Sequence, residues 1–184
     1  MEKKIAKNGF YLLLGQIIGR AIGFFYFIFL ARTLSVENFG VYAWVLGFVY
    51  NFLPVADLGI ERYILKNLPR HLDKTQEYFR HLLGLKVVLA FLTSFLVIAL
   101  GFLMGLSREK LISLLIFSLL FFPQNIFHLI VSFQNAREEV LTGVAANIFF
   151  SLAGALLGAA AVRRGLAVPW LFASYLAALL LTVF

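Results

Sequence analysis

Arg20, Gln16, Asn51, Gln124, His128 and Asn147 are polar side chains set inside long apolar runs, and their types decide what chemistry this chain can attempt. Arginine keeps its charge in a low-dielectric setting and offers a planar fork of donors matched to phosphate or carboxylate oxygens. The amides and the imidazole add uncharged donors and acceptors of the kind a hydroxyl-rich ligand needs. These are binding groups rather than reacting ones. No nucleophile and base pair, metal-ligand cluster or phosphate loop stands in the sequence, so no catalytic residue, metal site or cofactor is expected. With zero cysteines, disulfides and thiolate metal sites are excluded.

Spacing sharpens the reading of Arg20. Eleven residues beyond Gly9, at about 1.5 Å each, it lies roughly 16 Å into a run that can cross about 30 Å of hydrocarbon. Asn8, Gln16 and Arg20 share one row at multiples of four, with Leu12 as its apolar gap, and Gly15, Gly19 and Gly23 keep that side narrow. The guanidinium can snorkel back toward the near interface or face a cavity. The polar company it keeps favours the cavity, because intramembrane charges usually face water or a partner.

Elsewhere, Gln124, His128, Ser132 and Asn135 fall in one quadrant of a helical wheel. A lone intramembrane histidine serves either as a proton carrier or as a hydrogen-bonding group between helices. Gly143, Asn147, Ser151, Gly154 and Gly158 form a small or polar stripe whose glycines are expected to serve close helix packing. Asn51 and Arg62 are three turns apart, although Pro54 lies between them and should kink the helix.

The elements that position these groups follow from composition. The chain is 62% hydrophobic and 14% charged, with a mean hydropathy of +0.93, which marks a polytopic membrane protein. We expect an all-α bundle of six transmembrane helices over 9–34, 39–60, 82–105, 111–134, 140–162 and 166–184, forming one domain over 1–184. Pro123 interrupts the fourth, Lys86 is close enough to the start of the third to snorkel, and 61–81 reads as a solvated connection in which Pro69 ends the preceding helix. The third helix, with only Thr93 and Ser94 at its centre, is expected at the periphery. The net charge of +7 sits mostly between spans, which argues against a nucleic-acid partner and for a bilayer. The apolar run behind Lys3, Lys4 and Lys7 is too long for a cleavable signal, so the first helix is retained.

Orientation follows from the basic residues. With the N-terminus inside, Lys3, Lys4, Lys7, Arg62, Lys66, Arg70, Lys74, Arg80, Lys86 and Arg137 are cytoplasmic, while Arg32, Arg108, Lys110, Arg163 and Arg164 are external. Ten against five predicts a cytoplasmic N-terminus, with Arg163 and Arg164 dissenting. The sixth run is still apolar at Phe184, which reads as the end of a fragment or truncated product.

Leu30-Ala-Arg-Thr-Leu34, Phe39-Gly-Val-Tyr42 and Ala56-Asp-Leu-Gly-Ile60 resemble the opening hairpin of the polysaccharide and oligosaccharide flippases of the multidrug/oligosaccharidyl-lipid/polysaccharide (MOP) exporter superfamily. Gly19-Arg-Ala-Ile-Gly23 is similar to a Ser-Arg-x-x-Gly element of the lipid II flippase branch, in which the arginine lines a central cavity; Gly19 departs from that serine. The resemblance covers the span pattern of the whole chain and the motifs of 19–60. It implies one of two lobes that face each other across an alternately opening cavity, here the N-terminal lobe, working with a second lobe or a second copy. It implies a polyprenyl-diphosphate-linked oligosaccharide as substrate, the cell membrane as location, polysaccharide biosynthesis as context, and a coupling ion, Na+ or H+.

Three other functions fit parts of the pattern. A drug or cation antiporter of the same superfamily needs acidic groups in its cavity, and Asp57 and Glu61 are the only candidates, both near the cytoplasmic end of the second span. A polytopic glycosyltransferase using lipid-phosphate sugar donors resembles its relatives in carrying catalytic carboxylates on a sizeable first external loop, whereas 33–38 is short and offers only Glu37. A non-transporting membrane scaffold is the third alternative, and an enzyme is not the expected outcome.

Overall fold

The computed structural model describes residues 2–183, with side chains described for 7–182. The side chains of Lys3 and Lys4 and the whole of Phe184, invoked above, therefore lie outside the described residues. The regular structure is helical throughout: α1 (Glu2–Thr33), α2 (Val36–Tyr50), α3 (Leu53–Asp57), α4 (Ile60–Asn67), α5 (Thr75–Leu103), α6 (Arg108–Ser118), α7 (Phe121–Ala136), α8 (Val140–Arg163) and α9 (Val168–Val183). The fold is all-α and polytopic. Ser35 opens α2, its side-chain oxygen accepting from the Asn38 amide at 3.3 Å, which satisfies one of the free donors of a helix N-terminus.

Both expected kinks are present, and proline chemistry places them. The helix is interrupted at Asn51–Phe52 ahead of Pro54 and at Leu119–Leu120 ahead of Pro123, where a proline ring crowds the carbonyl four residues back and donates no N–H. The pieces on either side remain one membrane-length stretch each. Five stretches are long and apolar enough to cross a bilayer: Lys7–Thr33, Val36–Asp57, Leu72–Leu103, Arg108–Ala136 and Val140–Arg163. The sixth, Val168–Thr182, is apolar but shorter. Pro169 explains the difference from the expected 166–184 run: it is readily placed in a first turn and starts α9 at Val168, after a turn in which Gly165 adopts φ +67°.

Two further expectations are corrected. The polar segment after Asp57 is not merely a solvated connection, because Ile60, Ile64 and Leu68 recur at a spacing of four and bury against Leu89, Leu129 and Phe133. Arg62 and Lys66 stay on its exposed side. Nor is α5 simply peripheral. Leu85, Val88, Leu92 and Phe95 are exposed along one face, whereas Lys86, Ala90, Thr93, Val97 and Gly101 are buried along the other, against α3, α6 and α7. Ser94 donates to the Ser118 carbonyl at 3.0 Å across the α5–α6 contact.

Helix α8 is the central post, with α1 on one side and α9 on the other. The glycines make this approach close, as the sequence led us to expect. A Cβ on Gly143 would sit 3.0 Å from Val131, one on Gly15 would sit 2.6 Å from Val144, and one on Gly158 would run into the Tyr26 hydroxyl. Across the bundle, Tyr42, Phe117 and Phe172 form an aromatic core, with ring centroids at 5.3 Å for Tyr42–Phe172 and 4.6 Å for Phe117–Phe172.

Candidate functional site

Because α1 packs chiefly on α8, the row Gln16–Arg20 comes to rest beside the stripe of α8 and the polar quadrant of α7. Between them lies a cavity of about 360 Å³, lined by Gln16, Gly19, Arg20, His128, Asn135, Asn147 and Ser151 among others. Four of the six side chains expected at the site, Arg20, Gln16, His128 and Asn147, thus share one cavity. Glycines shape it: Gly15, Gly19 and Gly143 are in its wall, so helices approach there without side chains filling the space.

The polar groups of this cavity are left available to a ligand. Asn147 donates its Nδ2 to the Gly143 carbonyl at 2.9 Å, and Ser151 donates to the Asn147 carbonyl at 2.8 Å, so both are fixed on their own helix. Among the described residues no donor bonds to the Asn147 amide oxygen. The Asn135 amide oxygen is buried without a partner. Arg20 is exposed on the cavity side of α1, and among the described residues no carboxylate pairs with it.

Gln124 lies elsewhere. It lines a second cavity of about 240 Å³ with Asp57, Glu61, Asn125 and His128, so His128 stands in the wall of both. Asn51 joins neither. Its Nδ2 donates to the Gly47 carbonyl at 2.6 Å and the side chain is exposed. Asn51 caps the C-terminal end of α2, a helix that contributes no residue to either cavity.

The sequence reading missed a charged cluster. Lys86 does not snorkel: it is 0% exposed, and its Nζ lies 2.6 Å from Asp57 Oδ1 and 3.6 Å from Glu61 Oε1. Snorkelling fails because Lys86 is about 16 Å along α5 from Thr75 and faces the bundle, with two carboxylates nearer than water. Asp57 also accepts from the Gly59 amide at 3.1 Å and the Glu61 amide at 3.4 Å, capping α4 while it holds the lysine. Leu58 (φ 46°) and Gly59 (φ 82°) make the left-handed turn that brings those amides round, where glycine is the residue without steric cost. The visible signal was the i, i+4 pair Asp57 and Glu61 together with a lysine set inside an apolar helix. Glu61 Oε1 lies 3.4 Å from His128 Nδ1, which links the cluster to the first cavity.

Among the described residues no group of His, Cys, Asp and Glu is arranged to hold a metal ion. The profile of the polysaccharide biosynthesis protein family matches residues 5–184. Searches of curated proteins and of solved structures return no match to the chain. A match over nearly the whole length, on an all-α polytopic membrane fold, settles the family. The chain belongs to the polysaccharide biosynthesis protein family, the polysaccharide flippases of the MOP superfamily, which act as membrane transporters in polysaccharide synthesis rather than as enzymes.

Proposed function

We propose that this chain flips a polyprenyl-diphosphate-linked oligosaccharide across the cell membrane, and that Arg20 anchors the diphosphate. The observation that carries the reading is the Arg20 guanidinium, unpaired among the described residues, in a cavity it shares with Gln16, His128 and Asn147. A diphosphate entering hydrocarbon needs a cation that does not lose its proton, and a bidentate fork meets two of its oxygens at once. Amide groups beside the cation supply the donors and acceptors that sugar hydroxyls require. The acidic groups that a drug or cation antiporter would need, Asp57 and Glu61, are not in the wall of the Arg20 cavity but around Lys86, which disfavours that alternative.

A second lobe, or a second copy, completes the transport cavity. Gln16 and Arg20 are exposed on α1 next to Leu13 and Ile17, and polar groups at membrane depth require a covering surface or water rather than lipid. The N-terminus is cytoplasmic in this reading, on the charge count, and a coupling ion drives the cycle. In the active transporter, Arg20→Ala is expected to abolish flipping at matched expression. Membrane insertion should be unimpaired, because removing a midplane charge eases insertion by about 2–3 kcal/mol. Arg20→Lys should fall between the two, keeping the charge and losing the fork. Wild-type flipping by the alanine variant would rule the anchor out.

A further inference from the structure

We infer that a cleft between α4 and the start of α5 binds the headgroup of phosphatidylethanolamine, a bilayer phospholipid with a primary ammonium, and that an acyl chain of the same lipid lies along α5. The cleft, of about 310 Å³, is lined by Tyr63, Lys74, Glu77, Tyr78, His81 and Leu82. Glu77, Tyr78 and His81 fall on one face of α5, with Lys74 just ahead of it, and Tyr63 closes the cleft from α4, its ring stacked on Tyr78 at a centroid distance of 6.2 Å. The same helix face continues as Leu85, Val88, Leu92 and Phe95, all exposed. A polar cleft thus runs straight into an apolar track, the order in which a phospholipid presents its headgroup and hydrocarbon. Two crossings, Lys7–Thr33 and Val36–Asp57, return the chain to the side on which it starts, so the cleft lies at that membrane surface, where tyrosines favour the headgroup level.

The charges in the cleft decide the headgroup. Lys74 and Glu77 line it together, yet among the described residues no ion pair joins them, so one cation and one anion stand ready for a ligand that carries both signs. A phosphate takes Lys74 and the two phenolic hydroxyls as donors, and an ammonium takes Glu77 as acceptor. His81 adds a second acceptor. Its Nδ1 lies 2.8 Å from the Glu77 carbonyl oxygen, which can only accept, so Nδ1 carries the proton and Nε2 of the neutral ring keeps its lone pair. A headgroup with phosphate alone would set its charge against Glu77, and the trimethylammonium of phosphatidylcholine has no N–H to donate. Arg62, Lys66, Arg70 and Arg80 are exposed nearby and draw phosphates to this surface in general, whereas Glu77 selects the amine. The cleft shares no residue with the Arg20 cavity, and the inference does not rest on the flippase reading.

The test is native mass spectrometry of the protein in detergent micelles, titrated with phosphatidylethanolamine, phosphatidylcholine or phosphatidylglycerol of identical acyl chains. The expected result is retention of phosphatidylethanolamine over the other two by about two- to fivefold, the range of one exposed ion pair. Glu77→Gln should bring phosphatidylethanolamine level with phosphatidylglycerol, and Lys74→Gln should weaken all three. Equal retention of the three lipids, or a preference for phosphatidylglycerol such as an unselective basic surface gives, overturns the proposal. So does a phosphatidylethanolamine preference that survives Glu77→Gln, or binding indifferent to Lys74→Gln. Glycerophosphoethanolamine, the same headgroup without acyl chains, should fail to displace the bound lipid at equal concentration; displacement would make the ligand a soluble one and overturn the lipid site. Should Glu77→Gln not fold, the comparison of the three lipids on the wild-type protein still decides.

Discussion

Lys86→Met is the perturbation whose consequence the structure specifies best. Methionine keeps an unbranched chain in the same buried space and removes only the ammonium. At 2.6 Å from Asp57, Coulomb's law with an effective dielectric of about 20 gives an attraction of about 6 kcal/mol. Burying the lysine itself costs several kcal/mol, so the pair is worth far less than its attraction; removing one partner nevertheless strands two carboxylates, typically at about 3–5 kcal/mol. Asp57 is a quarter exposed and Glu61 a third, so the low end applies, about 3 kcal/mol. At about 2–4 °C per kcal/mol for a chain of this size, Tm should fall by roughly 6–12 °C. Thermal unfolding in detergent, followed by the loss of monodisperse protein on heating, is a direct assay. Lys86→Met combined with Asp57→Asn should recover most of the loss, because asparagine keeps an acceptor for the α4 cap. A Lys86→Met protein melting within about 2 °C of wild type, the range of a neutral surface change, would refute the buried pair.

Other outcomes follow from the same geometry. Gly158→Leu should destabilise by about 1–3 kcal/mol in the same assay, because its side chain meets Tyr26. Tyr26→Phe should be close to neutral, since the Tyr26 hydroxyl is buried without a partner and its removal strands nothing. In a flipping assay, Asn147→Ala should reduce activity while Asn51→Ala leaves it near wild type, because only the former lines the Arg20 cavity. Ser107→Cys, in a chain that has no cysteine of its own, should be labelled by impermeant maleimide from outside the cell; labelling from the cytoplasmic face alone would reverse the orientation.

The amino-acid sequence by itself determined the class of molecule and most of its helices. Apolar runs of bilayer length leave helix as the backbone solution, because every N–H and C=O must be paired internally in hydrocarbon. Pro54 and Pro123 marked the breaks, and the glycines of α8 marked a close helix contact, since these residues act locally through ring and Cβ sterics. Tertiary structure alone decided which polar groups meet. Arg20 and Asn147 are 127 positions apart in the chain and line one cavity only because α1 lies on α8, whereas Asn51, as polar and as deep in an apolar run, caps α2, a helix that lines neither cavity. Lys86 shows the same limit most plainly. In the sequence its position near the start of the apolar run 82–105 fits snorkelling equally well, and a buried ion pair is defined by how α3, α4 and α5 pack, because a charge takes whichever partner is closer than water.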